Sequence, residues 1–137
     1  MSEEQKTPNS GFAKVRSFKD LVVWQKGMAL AKGIYGITIP FPKEEKFGLV
    51  SQMRRAAVSI PSNIAEGQAR HTTKEFIQFI SHAEGSVAEL ETQMMLAADL
   101  GYCTLGQVKQ VEEALQLISD LRNMLNALRR TLSRSNT

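Results

Sequence analysis

A chain of 137 residues, 42% of them apolar, is long enough to fold around one core without disulfides or metals, and its single cysteine, Cys103, cannot form an internal disulfide. That usage fits a reducing, cytoplasmic setting; no segment approaches the ~18 uninterrupted apolar residues of a membrane span, and the opening MSEEQKTPNSGFAK lacks the apolar run of a signal peptide. The net charge of +3 is small but unevenly placed, with eight acids against the single base Lys109 in residues 75 to 120 and four arginines without an acid in residues 121 to 137, so separate acidic and basic surfaces are expected.

Residues 1–16 are dominated by polar residues, proline and glycine and are expected to form a flexible N-terminal tail ahead of one domain over residues 17–134. A first helix is expected over residues 18–39, closed by Pro40 and Pro42. It carries two apolar stripes: Leu21, Trp24, Met28, Ala31 and Tyr35 form one, and Val23, Gly27, Leu30, Ile34 and Ile37 the other, turned by roughly a third of a circle at 100° per residue. A helix apolar on two sides needs two neighbours, so surface is left over for another subunit unless the core-facing stripe is simply wide.

The second helix is expected to start between Lys43 and Lys46, with Glu44 and Glu45 beside its positive N-terminal dipole. Val50, Met53, Ala57, Ile60 and Ile64 step by 3, 4, 3, 4 and share one face. Pro61 interrupts that face at a cost of roughly 3 kcal/mol in a helix interior. Ser59, Ser62 and Asn63 lie close enough to supply replacement hydrogen bonds, Ala56 and Ala57 leave room for a kink, and Gly67 is expected to loosen the helix end.

Thr72-Thr73-Lys74-Glu75 has the pattern of a capping box and opens a third helix, in which Phe76, Ile80, Ala83, Val87, Leu90, Met94 and Ala97 repeat at heptad spacing up to a left-handed cap at Gly101. Thr104-Leu105-Gly106-Gln107 repeats the pattern and opens a fourth helix. Its stripe runs Val108, Val111, Leu115, Ile118 and then shifts to Leu121, Leu125, Leu128, Leu132. The shift is read as a first half packed in the bundle and a second half that also meets another subunit. With no alternating segment that reads as a strand, the fold class is all-α, an up-down-up-down four-helix bundle.

The run Gln52 to Gly67, QMRRAAVSIPSNIAEG, resembles the core motif of a bacterial four-helix-bundle family first noticed as reading frames inside intervening sequences of large-subunit ribosomal RNA genes. Phe18-Lys19-Asp20-Leu21 with Trp24, Phe41-Pro42-Lys43-Glu44-Glu45, Ala83-Glu84-Gly85-Ser86 and Glu89-Leu90-Glu91 extend the likeness over most of residues 18 to 102. On that likeness Arg54, Arg55, Pro61, Asn63, Glu66 and Gly67 are the structural motif. The resemblance implies a homopentamer around a central channel. A related branch contains the accessory variability protein of diversity-generating retroelements, which implies a reverse transcriptase and its RNA as partners.

Few residues carry chemistry. A two-metal carboxylate site in a bundle core needs inward Glu-x-x-His pairs, and neither His71, with Gln68 three residues before it, nor His82, with Phe79 there, supplies one. Cys103 lies between a helix end and a helix start, a place that could lower its pKa, but no histidine lies near it in sequence. No catalytic residue, metal or cofactor is therefore assigned, and the chain is not expected to be an enzyme. Arg54 flanks the apolar stripe and Arg55 lies opposite, so the two are not expected to share a site. Arg54 is assigned a carboxylate of the third helix, Glu84 or Glu91, seven residues apart on one side.

The nucleic-acid candidates are Arg122, Arg129, Arg130 and Arg134, with Arg70 and Lys74 as a smaller basic spot. Such a cluster can neutralise phosphates, or it can be a solvated helix end whose arginines sit at the negative dipole pole. No aromatic residues interleave with it and no base-reading motif is present, so binding of RNA or DNA would be non-specific. The expected function is an oligomeric, non-enzymatic bundle that binds nucleic acid and serves as accessory to a nucleic-acid enzyme. The rival is a structural or protein-interaction scaffold that binds none.

Overall fold

The computed structural model describes residues 17–135, and the tail expected over residues 1–16 lies outside them. Its helices are α1 (Val22–Thr38), α2 (Leu49–Gln68), α3 (Thr73–Asp99) and α4 (Val108–Ser135), with 3-10 turns at Phe18–Asp20, Lys43–Glu45 and Leu105–Gln107 and no strand among the described residues. α1 begins at Val22 rather than Phe18. The Ser17 hydroxyl accepts the Lys19 N–H at 2.9 Å and winds the chain into a tight turn, after which Leu21 is extended and buried.

Side chains close the starts of the other helices. Glu45 Oε1 accepts the Leu49 N–H at 3.0 Å, so the carboxylate expected near the α2 dipole is a direct cap from the preceding turn. Thr72 accepts the Glu75 N–H at 3.1 Å and opens α3. Gly101 takes φ 76°, and the next residue, Tyr102, donates its N–H to the Ala97 carbonyl at 3.0 Å, closing α3 in the left-handed manner expected. The Thr104 N–H donates to Gln107 Oε1 at 3.2 Å as α4 begins.

Each helix packs on its neighbours in sequence, and α4 closes on α1, giving the four-helix bundle. Cross-links fix the antiparallel register: Arg54 on Thr38 between α2 and α1, Ser59 on Ser86 between α2 and α3, Arg129 on Glu84 between α4 and α3, and Lys26 on Asp120 between α1 and α4. Leu30 and Ile34, Met53 and Ile60, Ile80 and Leu90, and Leu121 and Leu125 are fully buried, one pair from each helix. Each such side chain contributes about 1.5–3 kcal/mol of burial.

Two expectations about the helices change. In α4 the second-half stripe, Leu121, Leu125, Leu128 and Leu132, is buried within the chain, while Val108 and Leu115 of the first half are exposed. Ala114, not Leu115, faces the core there, because the inward face is set by the Ala114, Ile118, Leu121, Leu125 spacing. Gly67 does not loosen the end of α2: it is buried inside the helix, where a Cβ would stand 2.7 Å from Phe79 Cβ and 2.9 Å from Phe76 Cδ1. Its missing side chain is what lets α3 approach.

Pro61 lies within α2 and is buried. The Ser59 hydroxyl donates to the Ala56 carbonyl at 2.8 Å, and Asn63 Nδ2 donates to the Ser59 carbonyl at 2.8 Å. These flank Ala57, whose carbonyl the ring crowds. At about 0.5–1.5 kcal/mol each they offset part of the proline's cost, and packing against Gly27 adds to it: a Cβ there would lie 3.4 Å from the Pro61 ring.

Candidate interaction surfaces

The two stripes of α1 separate in the fold. Val23, Gly27, Leu30, Ile34 and Ile37 enter the core, and Leu21 and Ala31 of the other stripe are buried with them, while Trp24 and Met28 are half-buried and Tyr35 is 45% exposed. With Val58, Pro61 and Ala65 of α2 these last three line an open groove of about 490 Å³, with Lys32 and Ser62 on its edge.

Tyr35, Val58 and Ser62 also border a broader groove of about 730 Å³ over the outer face of α2, which adds Lys46, Phe47, Arg54, Arg55, Asn63 and Glu66. Arg54 and Arg55 therefore do line one surface, against expectation, because the groove is wide enough to reach from the flank of α2 to its outer face. Phe47 is 88% exposed, with the Lys46 ammonium 5.4 Å from its ring centre. Aromatic and basic residues thus interleave here: Lys46 and Phe47 are neighbours in the chain, and Arg54 meets Tyr35 from 19 residues away.

Arg54 does not reach α3. Its Nε donates to Thr38 Oγ1 at 2.9 Å, its Nη2 to the Tyr35 carbonyl at 3.3 Å, and its guanidinium lies 4.5 Å from the centre of the Tyr35 ring. This half-buried arginine closes the end of α1. The carboxylates assigned to it belong to α4: Glu91 accepts from Arg122, and Glu84 Oε1 accepts from Arg129 Nε at 2.8 Å, with Asn126 Oδ1 on Arg129 Nη2 at 2.8 Å. Val108, Leu115, Arg122 and Arg129 follow one another by sevens, so the α3–α4 seam is apolar and exposed in one half and ion-paired in the other.

That arrangement divides the expected nucleic-acid residues. Arg122 and Arg129 are held by carboxylates, and Arg70 lies 3.7 Å from Glu66 with its guanidinium 4.7 Å from the Phe79 ring centre. Lys74, Arg130 and Arg134 are exposed. The antiparallel order brings the end of α2, the start of α3 and the end of α4 to one end of the bundle, so Arg70 and Lys74 gather toward Arg130 and Arg134 there.

At the opposite end Tyr102 donates its hydroxyl to Glu45 Oε2 at 2.8 Å, and its ring stands 5.4 Å from that of Phe41. The Leu49 N–H, and after it the Tyr102 hydroxyl, hold the Glu45 carboxyl below its ordinary pKa; the same bond, with desolvation, raises that of Tyr102. Asp120 is lowered by hydrogen bonds from Gln116 and then Lys26.

Burial pushes the Cys103 thiol up, the reverse of the depressed pKa its position between two helices had raised as an option. Both histidines are exposed, His82 standing edge-on to Phe79 at 5.8 Å. Among the described residues no three metal-ligating side chains gather, and no helix is long and apolar enough to cross a membrane.

Compared with known proteins, residues 19–127 match the family described as 23S rRNA-intervening sequence protein. No curated protein matches the chain.

Proposed function

The chain belongs to the 23S rRNA-intervening sequence protein family, and from that premise we propose that it is a non-enzymatic assembly and interaction scaffold. One observation carries this reading: the outer stripe of α1, Trp24, Met28 and Tyr35, lies at the surface and forms with Val58 and Pro61 an apolar groove that the described residues leave open. The occupant is a further copy, in a ring of about five chains as the family resemblance implies. Light scattering or native mass spectrometry at micromolar concentration is expected to give a multiple of the 15.2 kDa chain. A single-chain mass at all concentrations would overturn the reading.

A second reading, non-specific binding of RNA or DNA as accessory to an enzyme such as a reverse transcriptase, is favoured by the gathering of Arg70, Lys74, Arg130 and Arg134 at one end. Arg122 and Arg129 contribute less to it, because a phosphate would have to displace Glu91 and Glu84. A ring multiplies a small basic end into an extended one.

A further inference from the structure

Among the described residues, the exposed large apolar side chains fall, apart from Val22, on two parts of the molecule. Tyr35, Ile39, Phe47 and Val58 belong to the α1–α2 side; Met95, Leu96, Leu100, Leu105, Val108 and Leu115 belong to the α3–α4 side near the turn that joins those helices. Because the helices are arranged in ring order, α1–α2 and α3–α4 are opposite sides of the bundle. The patches also carry opposite charge. Lys32, Lys46, Arg54 and Arg55 line the grooves of the first, against Glu66, which Arg70 approaches. Along the second, Asp99 lies one helical turn from Met95, and Glu112 one turn from Val108 and Leu115, with Lys109 beside it, whereas Glu113, seven residues before Asp120, falls on the side of α4 that faces α1. The other half of that seam is neutralised internally by the Glu91–Arg122 and Glu84–Arg129 pairs.

We propose that the α1–α2 groove of one copy receives the exposed, acidic half of the α3–α4 seam of the next, so that the protein assembles head to tail through two different surfaces. The inference rests on the assembly reading and adds which faces meet. Charge decides between the possible pairings. Groove against groove would set Lys32, Lys46 and Arg55 against their own copies, and seam against seam would do the same for Asp99 and Glu112, whereas groove against seam joins unlike charges over two apolar floors. A contact between two different faces repeats around a ring, or along a filament if the rotation does not close, and never stops at a symmetric dimer.

Two blocked variants test this. Val58→Asp places a carboxylate in the groove, against the acidic seam, and Leu115→Lys places an ammonium in the seam, against the basic groove; both positions are exposed in the single chain, and far-UV circular dichroism checks that each variant keeps wild-type helicity. Phe47→Asp and Val108→Lys serve as second variants for the same two faces should either first choice fail to fold. Each blocked variant alone is expected to drop from the wild-type assembly to one chain. Mixed in equal amounts, the two are expected to form a complex of two chains, since each retains the half that the other lacks. If the wild type itself is a single chain, the assembly reading falls and this inference with it. If the wild type assembles but a folded blocked variant keeps the wild-type mass, or the mixture stays as single chains, assembly stands and the head-to-tail pairing is wrong. A seam-blocked variant that runs as a dimer would establish a groove-to-groove contact instead.

Discussion

Glu45 occupies two donors with its two oxygens, the Leu49 N–H at the start of α2 and the Tyr102 hydroxyl at the end of α3. Both bonds favour the ionised carboxylate, so its folded pKa lies below the unfolded value of about 4.5. Stability from this group is present above that value and is lost as the pH falls through the lower, folded pKa. Tyr102 gives the opposite sign: its folded pKa is raised, so its contribution is full below the ordinary tyrosine value and is lost as the pH rises through the folded one. Glu45→Gln is therefore expected to melt earlier than wild type at neutral pH and to converge with it as the pH falls through the lowered folded pKa, measured by thermal melts from neutral to acid pH. A constant difference between the two proteins at every pH would mean that the carboxylate's charge is irrelevant there.

At the level of whole elements, two glycines in similar helical sequence play opposite parts. Gly67 stands where α2 meets Phe76 and Phe79, whereas a Cβ on Gly85 of α3 would meet nothing within 4 Å. Alanine gains up to ~1 kcal/mol of helix propensity at either position, but at Gly67 overpacking against the Phe79 Cβ costs about 1–3 kcal/mol. Gly67→Ala is accordingly expected to lower stability by about 1–2 kcal/mol and Gly85→Ala to raise it by up to ~1 kcal/mol, read from denaturant melts. A stabilised Gly67→Ala would show that α3 moves away freely.

The same contrast shows what the sequence discloses. The Thr72 and Thr104 starts, the Gly101 stop and the heptads of α2 and α3 were legible because they depend on residues within a turn or two of one another. The role of Gly67 was not, since the phenylalanines that need it lie across a helix junction. Nor was the partner of Arg54: Glu84 and Glu91 do take arginines, but which helix offers them depends on a register between elements that spacing along one helix cannot disclose. In α4, Val108 and Leu115 look like core by spacing, and only the placement of α1 and α3 shows that Ala114 is the inward residue.

Across the whole molecule the charges are dipolar rather than uniformly basic. Any binding to RNA is expected to be weak per chain, and to show a slope with salt set by the exposed bases at one end. Changing Arg70, Lys74, Arg130 and Arg134 together to Gln is expected to weaken binding to mixed-sequence RNA and flatten that slope, with helicity and assembly mass unchanged. Equal affinity and slope in the variant, or no binding by the wild type at low salt, would leave the scaffold reading alone.

The end of α1 illustrates how far apart in the chain cooperating groups can lie. Two of its last carbonyls have partners outside the helix: Tyr35 from Arg54, and Ile37 from the buried Gln107 side chain at 3.0 Å, which lies 70 residues further along. A helix end lacking such partners leaves its carbonyls to water. On a ribosome the chain emerges from its N-terminus, so the last turn of α1 is synthesised long before the amide that completes it. Until the first residues of α4 exist, the Ile37 carbonyl is therefore left to water, whereas Arg54, 19 residues beyond Tyr35, brings its cap with α2.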